Sequence, residues 1–179
     1  MMSGLFTFRL TLTIGRATFF TFLPILAASR LGLSSSLIGI LLAVHILLMA
    51  LLGIPFGRIA DRLNRRFLVV CGCLVSFVFL LSVPMGDNFG LLLALAILGS
   101  LGNAIAVPAA SALVVEEGRT FGMGSAIALF SISMSIGIVV GPVVGGLVTD
   151  FAGLNSAFYF GAVITLVGAG LFTWLSAKH

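Results

Sequence analysis

Two ionisable side chains, Arg16 and His45, stand inside long apolar runs. An ion in hydrocarbon is costly, so such a residue faces a wet cavity, a partner or the membrane surface. Arg16 suits an anion, supplied either by a small-molecule substrate or by a partner's carboxylate. Alternatively its guanidinium snorkels toward the nearer surface together with Arg9, two turns earlier. His45 has an unperturbed pKa of about 6.5 and can relay protons, or it is a packed, hydrogen-bonded residue. Thr13, Thr18 and Thr21 share a segment with Arg16. They line the same cavity or bond back to their own helix.

Other chemistry is poorly supported. Asp61, Asp87, Glu116, Glu117 and Asp150 all fall at loops or segment ends, so no span carries a proton-coupling carboxylate. Cys71 and Cys73 are two apart and point to different faces of a helix, which disfavours a metal or redox pair. No Walker A pattern is present to bind a nucleotide. Gly122-Met123-Gly124-Ser125 does not fit the Gly-x-Ser-Gly of intramembrane serine proteases, and His45 has no evident partner. The expectation is a protein that is not an enzyme and takes no cofactor or metal.

The elements that must position these residues follow from composition. Hydrophobic residues make up 60% of the 179, and charged residues only 8%; mean hydropathy is +1.31. A soluble domain carries about 25% charged residues, so the bilayer is the main solvent. Six segments of about 20 apolar residues or more can cross it: Leu5 to Ser29, Ser36 to Phe56, Phe67 to Met85, Phe89 to Val115, Gly122 to Thr149 and Leu154 to Ser176. They are too long and too uniformly apolar for barrel strands, and open strands cannot face lipid. The fold class is therefore an all-α membrane protein with six transmembrane helices in one domain, residues 1–179. The N-terminus lacks a basic run and a cleavage site, so the first helix is expected to be retained.

Six spans put both ends of the chain on one side. That side holds Arg9, Arg58, Arg62, Arg65, Arg66, Arg119 and Lys178, against Arg30 alone on the other. The positive-inside rule then predicts cytoplasmic termini and explains the formal charge of +4 without nucleic acid.

Two motifs carry more specific information. Gly57-Arg58-Ile59-Ala60-Asp61-Arg62-Leu63-Asn64-Arg65-Arg66 joins the second and third spans. Gly57 would let the backbone leave the helix end. Asp61 can pair with the arginines, and these meet the anionic leaflet; an ordinary basic loop has the same composition. The fifth span contains Gly137-x3-Gly141-Pro142-x2-Gly145-Gly146. Gly137, Gly141 and Gly145 line one helix face and permit close helix contact, and Pro142 favours a bend. That face suits either tight packing or a moving helix.

Together these motifs resemble those of the major facilitator superfamily. The loop matches the family pattern at Gly57, Ile59-Ala60, Asp61, Arg62, Arg65 and Arg66, with Asn64 where a Gly is usual. Asn also tolerates a left-handed turn. The fifth span resembles the antiporter motif of drug exporters, with Ala128 in place of an earlier Gly, and Leu98 stands where those exporters often have Arg.

The resemblance covers essentially the whole chain. It implies a 3+3 inverted-repeat bundle with units of roughly 1–86 and 87–179, one half of a twelve-helix transporter and most like the carboxy-terminal half. It implies that helices one and four line a substrate cavity, placing Arg16 and Asn103 there with Thr13 and His45 beside them, while charge-free helices three and six support the others. Asp61 and its arginines would gate the cytoplasmic side. The implied function is secondary transport of a small solute, such as drug or metabolite efflux by an antiporter, through alternating access in the plasma (inner) membrane. Its partners would be the bilayer, a small-molecule substrate, and a second six-helix half or a second copy. The alternative is a non-transporting half-bundle, truncated or regulatory.

Overall fold

A computed structural model describes residues 2–177. Among them are six α-helices: α1 Met2–Leu31, α2 Ser35–Ala60, α3 Arg65–Ser82, α4 Phe89–Phe121, α5 Met123–Ala152 and α6 Leu154–Ser176. A short 3-10 turn, Val83–Met85, extends α3. All six helical stretches are long and apolar enough to cross a membrane, and the described residues contain no strand. Lys178, one of the basic residues used to orient the chain, lies outside the described residues.

The helices outrun their apolar segments, and this corrects three readings. First, α4 does not stop at Val115 but runs through Glu116, Glu117 and Arg119. Glu and Arg are good helix formers, and Arg119 in the last turn suits the negative helix end. Charge marks where hydrocarbon ends, not where the helix ends. Second, Gly57 sits inside α2, and the backbone leaves at Asp61, which caps the helix. A Cβ on Gly57 would approach no neighbour closer than Pro108 Cβ at 3.9 Å. Third, Asn64 is not left-handed. Its φ is −65°, and its side chain accepts hydrogen bonds from Arg66 N and Phe67 N to start α3.

The remaining ends follow the same chemistry. Ser34 caps α2 through Leu37 N, and Asn88 caps α4 through Leu91 N at 2.9 Å. Gly122 alone separates α4 from α5, and Gly153 alone separates α5 from α6. Their φ values of +98° and +84° are left to glycine because a Cβ would clash there.

Packing has an internal regularity. The long helix α1 packs on α5 and α6; the long helix α4 packs on α2 and α3; α3 and α6 also touch. Exchanging the first three helices for the last three maps these contacts onto one another, although α5 also packs on α6 with no comparable α2–α3 contact. Helices α2 and α5 are the least buried. Two apolar cores lie one above the other. One gathers Phe8, Val69, Ala109 and Phe172 toward the arginine-rich end. The second gathers Phe19, Leu41, Phe79 and Phe158 toward the opposite end.

Lipid tails are as apolar as leucine, so helices associate by close contact more than by escape from water. Small residues provide that contact. On α5, a Cβ at Gly137 would lie 2.8 Å from Thr13 Cβ, one at Gly141 2.7 Å from Ile14 O, and one at Gly145 2.7 Å from Phe22 Cε2. The stripe therefore seats α5 on α1, and Thr18 Oγ1 adds a 3.3 Å bond to Gly141 O across the contact. Gly146 faces open space.

This difference is testable by unfolding in mixed micelles. Gly141→Ala meets backbone and is expected to lose about 1–3 kcal/mol, as overpacking does. Gly146→Ala is expected to be neutral, or to gain up to about 1 kcal/mol from helix propensity. Equal effects at the two positions would contradict the packing.

Candidate functional site

Between the two apolar cores lies a polar layer. Arg16 on α1, His45 on α2, Ser76 on α3, Asn103 on α4 and Thr165 on α6 all line one small internal cavity. Its repeat is visible in detail. Arg16 follows Gly15, and a Cβ on Gly15 would lie 2.6 Å from Thr165 Oγ1. Asn103 follows Gly102, and a Cβ on Gly102 would lie 2.5 Å from Ser76 Oγ. Each Gly-polar pair thus sits where its helix meets a hydroxyl on the third helix of a set. Glycine brings the backbones together, and the next residue projects its polar group beside the contact.

His45 is held tightly. Only 1% of it is exposed. Nδ1 lies 2.9 Å from Ala96 O, and Phe19, Phe20 and Phe79 surround the ring at centroid distances of 5.0, 5.5 and 5.9 Å. Asn103 is also buried and donates to Gly99 O at 3.0 Å. Both residues therefore lie inside the bundle, at its small cavity. Asn103 additionally borders a shallow groove between α2 and α4 with Met49, Gly53 and Pro108.

Arg16 has a second face. It lines a groove of about 290 Å³ between α1 and α5 with Thr13, Ala17, Phe20, Thr21, Met134, Ile138 and Pro142. Its guanidinium rests over the Phe20 ring at 5.7 Å and approaches Met49 Sδ at 3.7 Å. Arg9, two turns earlier, lies 4.7 Å from the Phe130 centroid and 2.9 Å from Met134 Sδ. Among the described residues, neither arginine pairs with a carboxylate. Aromatic faces and sulfur partly compensate a cation but leave its charge uncancelled. Thr13 and Thr21 border the groove, while Thr18 is fully buried and bonds to Ile14 O at 2.9 Å. On α5, Pro142 lacks the amide that would bond the Ile138 carbonyl, and both residues belong to the groove wall. Gly146 takes no part in it.

The arginine-rich end is ordered by ion pairs and caps. Arg65 Nη1 lies 3.1 Å from Glu116 Oε2, and Arg65 Nη2 lies 4.0 Å from Asp61 Oδ1. Arg66 Nη1 donates to Ser176 O at 2.8 Å, closing the end of α6 with a positive charge. The loop is thus tied to α4 and α6. At the other end, Arg30 donates to Pro84 O at 2.7 Å and pairs with Asp87 at 3.4 Å.

Ser76, Thr165 and Glu116 were not singled out from the sequence. The repeated Gly-polar pair, Gly15-Arg16 and Gly102-Asn103, is the signal that points to the layer. Glu116 carried no signal, because only the fold brings it to Arg65.

Residues 5–179 match the sequence model of the Major Facilitator Superfamily. Inner membrane transport protein YajR of Escherichia coli is 33% identical over 161 residues, covering 87% of this chain and 35% of that protein. The uncharacterized MFS-type transporter MJ1560 of Methanocaldococcus jannaschii is 29% identical, with 86% of this chain and 39% of that protein covered. Multidrug resistance protein MdtH of Yersinia enterocolitica is 28% identical, with coverages of 93% and 41%. The chain spans somewhat over a third of the length of these relatives.

The partner of Arg65 is open to a direct check. Double-mutant cycles read by unfolding in mixed micelles should give the Arg65–Glu116 pair a coupling of about 0.5 kcal/mol, typical of an exposed pair. Arg65–Asp61 should couple more weakly at its longer distance. The reverse order would contradict the geometry.

Proposed function

Since this chain belongs to the major facilitator superfamily, we propose that it moves a small solute across the membrane by alternating access, together with a second six-helix half or a second copy of itself. The carrying observation is Arg16: a cation at mid-helix, on the wall of the α1–α5 groove, without a carboxylate partner among the described residues. An intramembrane charge without a counter-ion is stable when a ligand or partner supplies one. The groove would then receive an anionic group of the solute, or a carboxylate of the other half between transport steps. Thr13 and Thr21 would add hydroxyl contacts. The weakly buried apolar faces of α2 and α5 offer area for the second bundle.

Several finer points belong to this reading. Residues 1–86 and 87–179 are two inverted repeats. Support comes from the exchange symmetry of the packing and from Arg16 and Asn103, each fourteen residues after its helix begins at Met2 and Phe89. The basic end faces the cytoplasm of a plasma (inner) membrane, so both termini are cytoplasmic. Asp61, with 71% of its side chain exposed and only a 4.0 Å contact to Arg65, is free to meet the other half and act as a gate. Arg62 lies beside it on the same loop. Export is favoured over import because several relatives bear multidrug-resistance names, and exchange for another ion is compatible with the Gly137–Gly146 stretch.

The test is transport by the assembled protein in proteoliposomes. Arg16→Ala is expected to raise the apparent KM at least roughly tenfold, equivalent to about 1.4 kcal/mol, with Arg16→Lys recovering part of the loss. Unchanged kinetics in Arg16→Ala would overturn the cavity role.

A further inference from the structure

Three buried polar atoms on three different helices lack a partner among the described residues: Nε2 of His45 on α2, Oγ of Ser76 on α3 and Oδ1 of Asn103 on α4; their residues line one cavity. Their residues are 1%, 3% and 4% exposed. We infer that this cavity binds a single water molecule, which donates to His45 Nε2 and Asn103 Oδ1 and accepts from the Ser76 hydroxyl. The inference does not depend on transport or on the second half.

Hydrogen-bond directions carry it. The carbonyl of Ala96 can only accept, so the 2.9 Å contact puts the proton on Nδ1 of His45. In the neutral ring the other nitrogen, Nε2, is then an acceptor. The Asn103 amide is oriented in the same way: its NH2 group donates to Gly99 O at 3.0 Å, which leaves Oδ1 as an acceptor. Two acceptors and one hydroxyl therefore meet at the cavity. The hydroxyl alone can satisfy one acceptor at most. A water brings two donors and an acceptor site, and closes the set.

Size and walls agree. The cavity has a volume of about 10 Å³, close to the least that admits one water. Leu12, Phe19, Phe79 and Leu80 form its apolar walls. The helices cannot close the gap, because α3 and α4 are already at contact: a Cβ on Gly102 would lie 2.9 Å from Ser76 N. Among the described residues, the charged or titratable groups facing the site are Arg16 and His45; Ser76, Asn103 and Thr165 are its other polar groups. Thr165 already donates to Gly161 O at 2.8 Å. The water thus ties α2 to α3 and α4 inside one half.

The experiment uses the protein in lipid nanodiscs with 15N-labelled histidine. Solid-state spectra should show His45 as the Nδ1–H tautomer, with a bound-water cross-peak to Nε2. A map near 2 Å resolution should show one isolated density within about 3.2 Å of all three atoms. Asn103→Leu fills the space and is expected to abolish the cross-peak. An empty or collapsed cavity, an Nε2–H tautomer, or a cross-peak that survives Asn103→Leu would overturn the proposal. Should that variant not fold, the unmodified protein's spectrum and map still decide between the outcomes.

Discussion

Hydrocarbon offers a peptide group nothing to bond with, so a chain this apolar must satisfy its backbone within each crossing segment. That constraint shapes the rest of the bundle. It makes every span a helix and drives each break to an end, where Ser34, Asn64 and Asn88 supply side-chain acceptors for the first amides. It also explains why Gly122 and Gly153 are sufficient as whole connections. Because burial from lipid gives helices little reason to associate, contact distance decides the packing. Gly141 against α1 and Gly102 against α3 are the clearest cases.

The same closeness creates the polar layer. At two of the glycine contacts the residue that follows projects its polar group into the interior. At Gly15 and Gly102 that residue is Arg16 and Asn103, each beside a hydroxyl of a third helix. Apolar cores above and below confine these groups to mid-depth. The two halves of the pattern differ in one respect that matters for function. Asn103 finds a backbone acceptor within its own helix, whereas among the described residues Arg16 meets an aromatic face and a thioether. The asymmetry leaves the uncancelled charge on the α1–α5 groove and a neutral amide in the interior.

Charge at the basic end works differently, because water is present there. The Arg65–Glu116 and Arg65–Asp61 contacts are exposed and individually weak. Their effect is positional. Arg66 on Ser176 O and Arg65 on Glu116 fix the α2–α3 loop against α4 and α6, so that Asp61 is presented outward on a rigid mount.

Much of this was legible in the residues. Six apolar runs gave six helices, since a span needs length and hydrophobicity that few other structures share, and the Gly137, Gly141 and Gly145 spacing marked one packed face. Helix ends were read too early at Gly57 and Val115, because charged residues leave the lipid yet continue the helix. The sequence by itself determined the solvent, the number of crossings and the side that gathers arginine; these depend on composition and on neighbours along the chain. Only the tertiary structure decided that His45, Ser76 and Asn103 border one cavity, that Arg65 meets Glu116, and that Arg16 meets no acid among the described residues. Those facts concern residues far apart in the chain, and they are set by which helix faces touch and how closely glycine lets them approach.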